Sequence, residues 1–214
     1  YRWSDENNTT PKTSAPSMEE AMELMRPFVE AGREVVCFSI SDSMSSSGNA
    51  MRLAARELEA EHLVTVIDSR NLSTGIGHLV VEAAILAQQG KTAEEIREAI
   101  EALRPRVRAS FVTDTLVYLR RGGRISAAAQ VAGSLLKIKP ILQSDPEGHI
   151  IQHSKVRGQL KAMETLAELY KEYAVDGTRT VGIAHADCPD GALRLQAKLR
   201  DAGQTGEILS VCYE

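Results

Sequence analysis

Hydroxyl side chains gather at two places near the start of the chain. The first group lies in Lys12-Thr13-Ser14-Ala15-Pro16-Ser17 and the second in Ser41-Asp42-Ser43-Met44-Ser45-Ser46-Ser47. Hydroxyls and the amides at a helix N-terminus are suited to bind a carboxylate or a phosphate. Serine and threonine are also the usual helix caps and turn residues, which accounts for any one of them equally well. Two such groups together indicate an anion site.

The second hydroxyl group follows a predicted strand. Residues 35–40 form a continuous apolar run, which is typical of a strand covered on both faces. In an open α/β sheet, ligands bind beyond the carboxyl ends of the strands. The position of the serines therefore favours a binding site over a simple turn.

Arg124 is a candidate partner for an anion. It follows Arg120-Arg121-Gly122-Gly123, where the glycine pair predicts the end of a helix and the preceding arginines complement the helix dipole. The end of the helix and its dipole account for Arg120 and Arg121, but not for Arg124, which follows the glycine pair. Its guanidinium offers a planar fork of donors that matches a carboxylate.

A second basic stretch allows a different interpretation, a surface for a protein partner. Lys155 and Arg157 alternate with apolar residues in His153-Ser154-Lys155-Val156-Arg157-Gly158. Such alternation is typical of a solvated strand face. A module that only binds other proteins through Lys155 and Arg157 is therefore one hypothesis.

Cys188 supports an alternative function, an acyl hydrolase with Cys188 or Ser45 as nucleophile. Cys188 precedes a predicted helix and has His185 nearby, and a helix N-terminus lowers the pKa of a thiol. The sequence has no G-x-S-x-G elbow, P-loop or G-x-G-x-x-G motif after a strand. His185 and Cys188 supply two ligands where zinc needs three or four, so no metal is expected.

Composition excludes several classes of partner. The net charge of −4 and an aromatic content of 4% argue against nucleic acid. No apolar run is long enough for a membrane span, and none resembles a signal peptide. Three widely spaced cysteines argue against a disulfide framework. We therefore expect a cytoplasmic protein without integral membrane association.

The order of predicted elements places these residues. Capping boxes at Ser17/Glu20 and Thr92/Glu95 predict helices over 18–31 and 93–106. The order strand, loop, helix, strand over residues 35–67 predicts a βαβ unit with a parallel sheet. Further along, residues 137–143 and 149–153 predict a hairpin, and residues 180–211 a strand, a helix and a last strand. The expected fold is a doubly wound parallel sheet in a first domain and a mixed sheet with helices in a second.

The motifs together resemble the DegV family of bacterial fatty-acid-binding proteins. The resemblance covers nearly the whole chain in the family's order and spacing. The motifs that match are residues 12–17, the serine-rich turn at residues 41–47, residues 66–69 with residues 75–77, residues 122–126 and residues 138–141.

The resemblance implies a two-domain α/β fold that binds a long-chain fatty acid such as palmitate, stearate or oleate. It divides the chain into residues 1–77, a partial first domain with hydroxyl loops for the carboxylate, and 78–214, a second domain lining an acyl-chain tunnel. Helices over 78–89 and 126–136 could line that tunnel or could simply be core. The implied ligand-binding residues are Thr13, Ser14, Ser45, Ser46, Ser47, Arg124 and Ile125.

The resemblance also implies a carrier without catalytic residues or a cofactor. A partner kinase subunit would phosphorylate the bound acid, and Lys155 and Arg157 would help it to dock. We expect a monomer. The family's Ser-Gly-Thr motif reads Ser45-Ser46-Ser47 here, so the hydroxyls remain although the glycine is lost. The family's opening strand and its closing His-Thr-Gly-type segment have no counterpart in this sequence.

Overall fold

The computed structural model describes residues 2–7, 9–125, 138–174 and 180–213. Within these ranges the chain forms eight α-helices and seven strands. The helices are α1 (Arg2–Glu6), α2 (Met18–Glu30), α3 (Ser47–Glu57), α4 (Thr74–Gln88), α5 (Ala93–Leu103), α6 (Val117–Arg121), α7 (Gln159–Tyr173) and α8 (Pro189–Asp201). The strands are β1 (Val35–Ser39), β2 (Val64–Asp68), β3 (Ser110–Val112), β4 (Ile138–Ser144), β5 (Ile150–Arg157), β6 (Val181–Ala186) and β7 (Ile208–Tyr213).

The first sheet is the parallel pair β1–β2, with Val35 opposite Val64 and Ser39 opposite Asp68. Successive side chains point to opposite faces. One face, which includes Val64, packs with α2 and α3, and the other, which includes Ile67, packs with α4 and α5. Covering on both sides explains why the two strands are almost wholly apolar. The predicted βαβ unit with a parallel sheet is confirmed.

Both predicted capping boxes are confirmed. The Ser17 hydroxyl accepts from the Glu20 amide while the Glu20 carboxylate accepts from the Ser17 amide, and Thr92 and Glu95 do the same. Helix α5, which begins after Thr92, ends at Leu103, and a short 3₁₀ turn over Arg104–Arg106 follows it. Each cap satisfies two amides that a helix leaves unpaired at its start.

The predicted division of the chain at residue 77 falls inside helix α4 (Thr74–Gln88). The side chains that follow this position are buried on β1 and β2, namely Leu79 and Ala83 of α4 and Ile96 and Ile100 of α5. The buried face of α4 therefore packs in the same core as β1, β2 and α5. We propose that the first unit extends to about Val107, the last residue that packs in this cluster. The other suggested tunnel helix, 126–136, lies outside the described residues.

The second half of the chain forms an antiparallel and a parallel sheet. Strands β3, β4 and β5 pair antiparallel in that order, and β6 pairs with β7 in parallel. Ile141 of β4 packs against α7, and Ile183 of β6 packs against α8. The predicted hairpin is confirmed, and both of its strands extend beyond the predicted ranges.

One apolar cluster joins the two halves of the molecule. Its buried members from the second half, Leu116, Ile125, Leu142 and Ile150, pack with Met44 from the serine-rich turn. Ile40 and Leu72, from the loops after β1 and β2, pack against the same cluster. The hydroxyl-bearing loop therefore lies directly on apolar side chains of the second half.

A candidate anion site at the serine loop

The loops after β1 and β2 lie side by side at the carboxyl edge of the first sheet. We call residues 41–47 the serine loop. The Ser41 amide donates to the Asn71 carbonyl at 3.0 Å, and the Asp42 amide donates to Asp68 Oδ1 at 3.2 Å. Asp42 also forms an ion pair with Arg52 of α3 at 2.7 Å. These bonds fix where the serine loop leaves the sheet.

Two serines of the loop are engaged in bonds within the protein. The Ser41 and Ser43 hydroxyl oxygens are 2.9 Å apart, and Ser43 Oγ donates to the carbonyl of Gly148 at 2.6 Å. Ser41 is fully buried. Gly148 lies in the turn between β4 and β5, so this bond connects the serine loop to the second half.

The remaining serines retain hydrogen-bonding capacity. Ser45 Oγ accepts from the Ser47 amide at 3.2 Å, and its own hydrogen has no acceptor among the described residues. Ser47 Oγ is buried and has no partner within the described ranges. Ser46, the N-cap of α3, makes no side-chain capping bond and is exposed. A buried hydroxyl without a partner is unfavourable by ~1–3 kcal/mol, which suits a position completed by a ligand.

The first turn of α3 adds unpaired amides to these hydroxyls. The Gly48 and Asn49 amides donate to no acceptor in the described part of the chain. The N-terminus of a helix carries a partial positive charge and favours an anion. The serine loop and the start of α3 therefore form a candidate site for a carboxylate or phosphate.

Gly48 belongs to this site for a reason that its place in the sequence did not reveal. A Cβ atom at this position would lie 2.3 Å from Asp42 Oδ1 and 2.8 Å from Ser39 Oγ. Only a residue without a side chain allows the helix to start so close to Asp42. The sequence did not identify Gly48 or Gly148 as residues of this site. The close contacts that require a glycine there form only on folding, so the neighbouring sequence does not reveal them.

Thr13 and Ser14 lie exposed in the segment before α2, and no hydrogen bond joins them to the serine loop among the described residues. The segment is tied to the end of α6, where Arg121 Nη1 donates to Thr10 Oγ1 at 2.9 Å. Arg124, three residues further on, donates through Nε to the Met44 carbonyl at 3.2 Å. One short stretch thus contacts the serine loop and, at Thr10, the segment that leads into the first hydroxyl group. Whether Thr13 and Ser14 bind the ligand stays a prediction.

Arg124 and Ile125 take different positions beside the loop. Arg124 directs Nε to Met44 and Nη1 to the carbonyl of Gly122, so two of its nitrogens serve the backbone. Nη2 has no partner among the residues described and could meet a carboxylate. Ile125 is buried in the apolar cluster beneath the loop.

The predicted partner-binding residues lie on the exposed side of β5. Lys155 and Arg157 are exposed, whereas their neighbours Ser154 and Val156 are half-buried. Arg157 is the last residue of the strand. The alternation expected for a solvated strand face is therefore present, and the role of these side chains stays a prediction.

The predicted alternative centre at Cys188 lies at the start of α8, where Cys188 is the N-cap residue. The Cys188 amide donates to His185 Nδ1 at 3.4 Å, so the hydrogen bond between the two residues involves the backbone of Cys188 and not its thiol. Cys37 is half-buried, and burial raises the pKa of its thiol, which disfavours the nucleophilic thiolate. Within the described ranges, no group of three or more His, Cys, Asp and Glu side chains could hold a metal ion.

The described helices include none that is both long enough and apolar enough to cross a lipid bilayer.

Comparison with known proteins identifies relatives along the whole chain. The model of the family described as "Uncharacterised protein, DegV family" matches residues 1–213. A DegV domain-containing protein of Clostridium acetobutylicum is 32% identical over 204 residues, which make up 93% of this chain and 71% of that protein.

Solved structures share the fold. A DegV-family protein of Ruminococcus gnavus, whose structure holds vaccenic acid, is 30% identical with a TM-score of 0.86. The match covers 95% of this chain and 73% of that one. The Fatty Acid Kinase (Fak) B3 protein of Streptococcus pneumoniae, loaded with linoleic acid, is 22% identical with a TM-score of 0.83, over 93% of this chain and 70% of that protein. At this identity the second likeness shows the fold alone.

Proposed function

This chain belongs to the DegV family, and from that premise we propose that it binds a long-chain fatty acid, with the carboxylate at the serine loop. The observation that carries the proposal is the unused hydrogen-bonding capacity at residues 45–49. The Ser45 hydroxyl hydrogen, the buried Ser47 hydroxyl and two amides of α3 lie within five consecutive residues.

A carboxylate needs such a set of donors when it leaves water. Burying an ionised carboxylate without compensation is strongly unfavourable, so several hydrogen bonds must replace its hydration. The partial positive charge at the start of α3 contributes in the same direction. Thr13, Ser14 and the free Nη2 of Arg124 are further proposed donors, since Arg121 contacts Thr10, three residues before Thr13, and Arg124 contacts Met44 of the serine loop.

The apolar cluster beneath the serine loop suits the start of an acyl chain. Met44, which precedes Ser45 in the serine loop, is buried in the same apolar cluster as Leu142 and Ile150 of the second half. Each methylene transferred from water into apolar surroundings contributes ~0.8 kcal/mol. A ligand with a charged head and a long apolar tail therefore matches a site where free donors adjoin buried hydrocarbon.

The role we propose is that of a carrier, which presents the bound acid to a kinase partner. Lys155 and Arg157 on the exposed side of β5 would contact that partner. The Streptococcus pneumoniae neighbour is named a fatty acid kinase B3 protein, but its likeness carries only the fold, so the kinase partner is inferred from the resemblance in motifs. A monomeric carrier in the cytoplasm completes the proposal.

The binding proposal is tested with purified protein and a matched pair of ligands. Oleate and methyl oleate share an acyl chain, and only oleate has the negative charge. Extraction and mass spectrometry of the purified protein should find a fatty acid, and calorimetry should show tighter binding of oleate. Ser45→Ala should weaken oleate binding about tenfold through the loss of a charge-assisted hydrogen bond.

Ser210→Ala, an exposed serine on β7, is the matched control and should bind like the wild type. A wild-type protein that carries no fatty acid and binds neither ligand would refute the proposed function.

A further inference from the structure

The turn between β4 and β5 contacts the serine loop at Gly148, which is 105 residues away in the chain. Ser43 Oγ donates to the Gly148 carbonyl at 2.6 Å. The turn itself is braced, because the Gly148 amide donates to the Asp145 carbonyl and the His149 amide donates to Asp145 Oδ1. The acceptor for Ser43 is thus held in a fixed position.

The hydrogens of Ser41 and Ser43 can be assigned from these contacts. A hydroxyl has one hydrogen, and that of Ser43 goes to the Gly148 carbonyl. Ser41 Oγ must therefore donate to Ser43 Oγ, while it accepts from the Ser43 amide at 3.3 Å. The three hydrogen bonds that link the Ser43 amide, Ser41 Oγ, Ser43 Oγ and the Gly148 carbonyl therefore each have one direction. Neither hydroxyl has a hydrogen left for a ligand.

Gly148 meets two independent requirements that exclude a side chain. Its φ of +87° lies in the left-handed region that favours glycine. A Cβ atom there would lie 2.1 Å from Ser41 Oγ and 2.9 Å from the Cα atom of Arg70. The turn can approach the serine loop only because this residue is glycine.

Arg124 provides a second contact between the second half of the chain and the serine loop. Its Nε donates to the carbonyl of Met44, which lies between Ser43 and Ser45 in the chain. Two groups from the second half therefore hold consecutive residues of the loop, Gly148 at Ser43 and Arg124 at Met44. Ser45 follows directly, and its hydroxyl hydrogen has no acceptor among the described residues.

We infer that Gly148 is a positioning residue for recognition of the ligand's head group, acting through Ser43. The turn fixes the serine loop so that the Ser45 hydroxyl and the first amides of α3 converge on the carboxylate. The inference rests on the proposed function. It adds that preference for an acid over its neutral ester depends on a contact between the two halves of the molecule.

The test compares Gly148→Ala with Gly90→Ala in the full chain. Gly90 has a φ of +81° and a Cβ atom added there would meet nothing within 4 Å, so its substitution introduces the same backbone strain without a clash. The readout is the dissociation constant for methyl oleate divided by that for oleate, a measure of the preference for the acid that general destabilisation alone does not change. Gly148→Ala should lose about tenfold in this ratio, the size expected for a lost charge-assisted hydrogen bond. Gly90→Ala should retain the wild-type ratio.

Ser43→Ala provides a second variant that adds no atoms, in case Gly148→Ala fails to fold. It should reduce the same ratio while the affinity for methyl oleate changes little, and Ser210→Ala serves as its control. If the wild type prefers oleate and Ser43→Ala keeps that preference, the inference is overturned and the proposed function stands. If the wild type binds neither ligand, both are overturned.

Discussion

Serines of the same loop differ in their hydrogen bonds, because each hydroxyl has only one hydrogen. The hydrogen of Ser43 is donated to Gly148, whereas that of Ser45 has no acceptor among the described residues. The Ser43 hydroxyl therefore holds the loop in position, and the Ser45 hydroxyl has a hydrogen available to donate to a ligand. Substituting each in turn separates positioning from direct contact, although the two residues are chemically identical.

Gly48 gives a prediction about stability at the residue scale. Gly48→Ala would place a Cβ atom 2.3 Å from Asp42 Oδ1, so the carboxylate must move and its ion pair with Arg52 is disturbed. We expect a loss of about 1–3 kcal/mol in the free energy of unfolding, as is typical of overpacking. This loss is measured by unfolding the wild type and the variant in urea while the circular dichroism signal is monitored.

Gly77→Ala is the control for Gly48→Ala, since Gly77 lies within α4 with nothing within 4 Å of a Cβ atom. Alanine is favoured over glycine inside a helix, so this control should gain up to about 1 kcal/mol. Asp42→Ala should reduce the cost of Gly48→Ala in the double variant. Equal losses with and without Asp42 would show that the clash is not the cause.

The chemical character of the site could be predicted from the sequence, but the role of each residue could not. Ser45 and Ser47 follow a strand and precede a helix, and that order alone indicates an anion site. The engagement of Ser43 depends on a carbonyl 105 residues away, which no local pattern reveals. Arg124 was predicted to face the ligand, and the structure adds the backbone carbonyls that it holds.

At the scale of elements, β4 supports two different cores through adjacent residues. Ile141 is buried against α7, and Leu142 is buried in the cluster beneath the serine loop. Ile141→Ala and Leu142→Ala should each lower the free energy of unfolding by about 2–5 kcal/mol. Only Leu142→Ala should also alter fatty acid binding, because only that cluster adjoins the proposed carboxylate site.

Affinities for acids of increasing chain length would measure the difference between the two variants. Leu142→Ala should change how steeply affinity rises with acyl length, because it alters the apolar surface next to Met44. Ile141→Ala, its neighbour on the same strand, should leave that dependence as in the wild type. The same dependence in both variants would argue against an acyl chain in this cluster.

Elements with local signals were predictable, and their long-range packing was not. Ser17 and Thr92 cap helices as predicted because a capping box is complete within four residues. The helix predicted over 78–89 was placed in the second half, and the observed helix, α4, begins at Thr74 and packs on β1 and β2. Its apolar residues show that it is buried but carry no information about which sheet covers it.

At the scale of the whole molecule, the proposed site depends on both halves. The donors come from the serine loop and α3, while the groups that hold the loop, Gly148 and Arg124, come from the second half. Strand β5 begins two residues after Gly148 and ends at Arg157. Eight residues of strand extend over about 24 Å, so Arg157 lies roughly that distance along the strand from the serine loop.

This separation leads to a prediction for the proposed kinase partner. A partner that contacts Arg157 and also reaches the carboxylate must extend over about 24 Å, which a globular domain does. Arg157 would then contribute to docking and not to phosphoryl transfer. Arg157→Ala should therefore raise the KM for the loaded carrier about tenfold while kcat stays unchanged, in a phosphorylation assay with the partner kinase.

Fatty acid affinity separates a docking role for Arg157 from a structural one. The side chain is exposed at the end of its strand, so Arg157→Ala should bind oleate as the wild type does. Arg106→Ala, an exposed arginine that follows α5, should change neither property. A loss of oleate binding in Arg157→Ala would assign the residue to the lipid site, and an unchanged KM would remove β5 from the kinase interface. A raised KM with intact oleate binding would assign presentation of the acid to the exposed side of β5, on the strand that begins beside the serine loop.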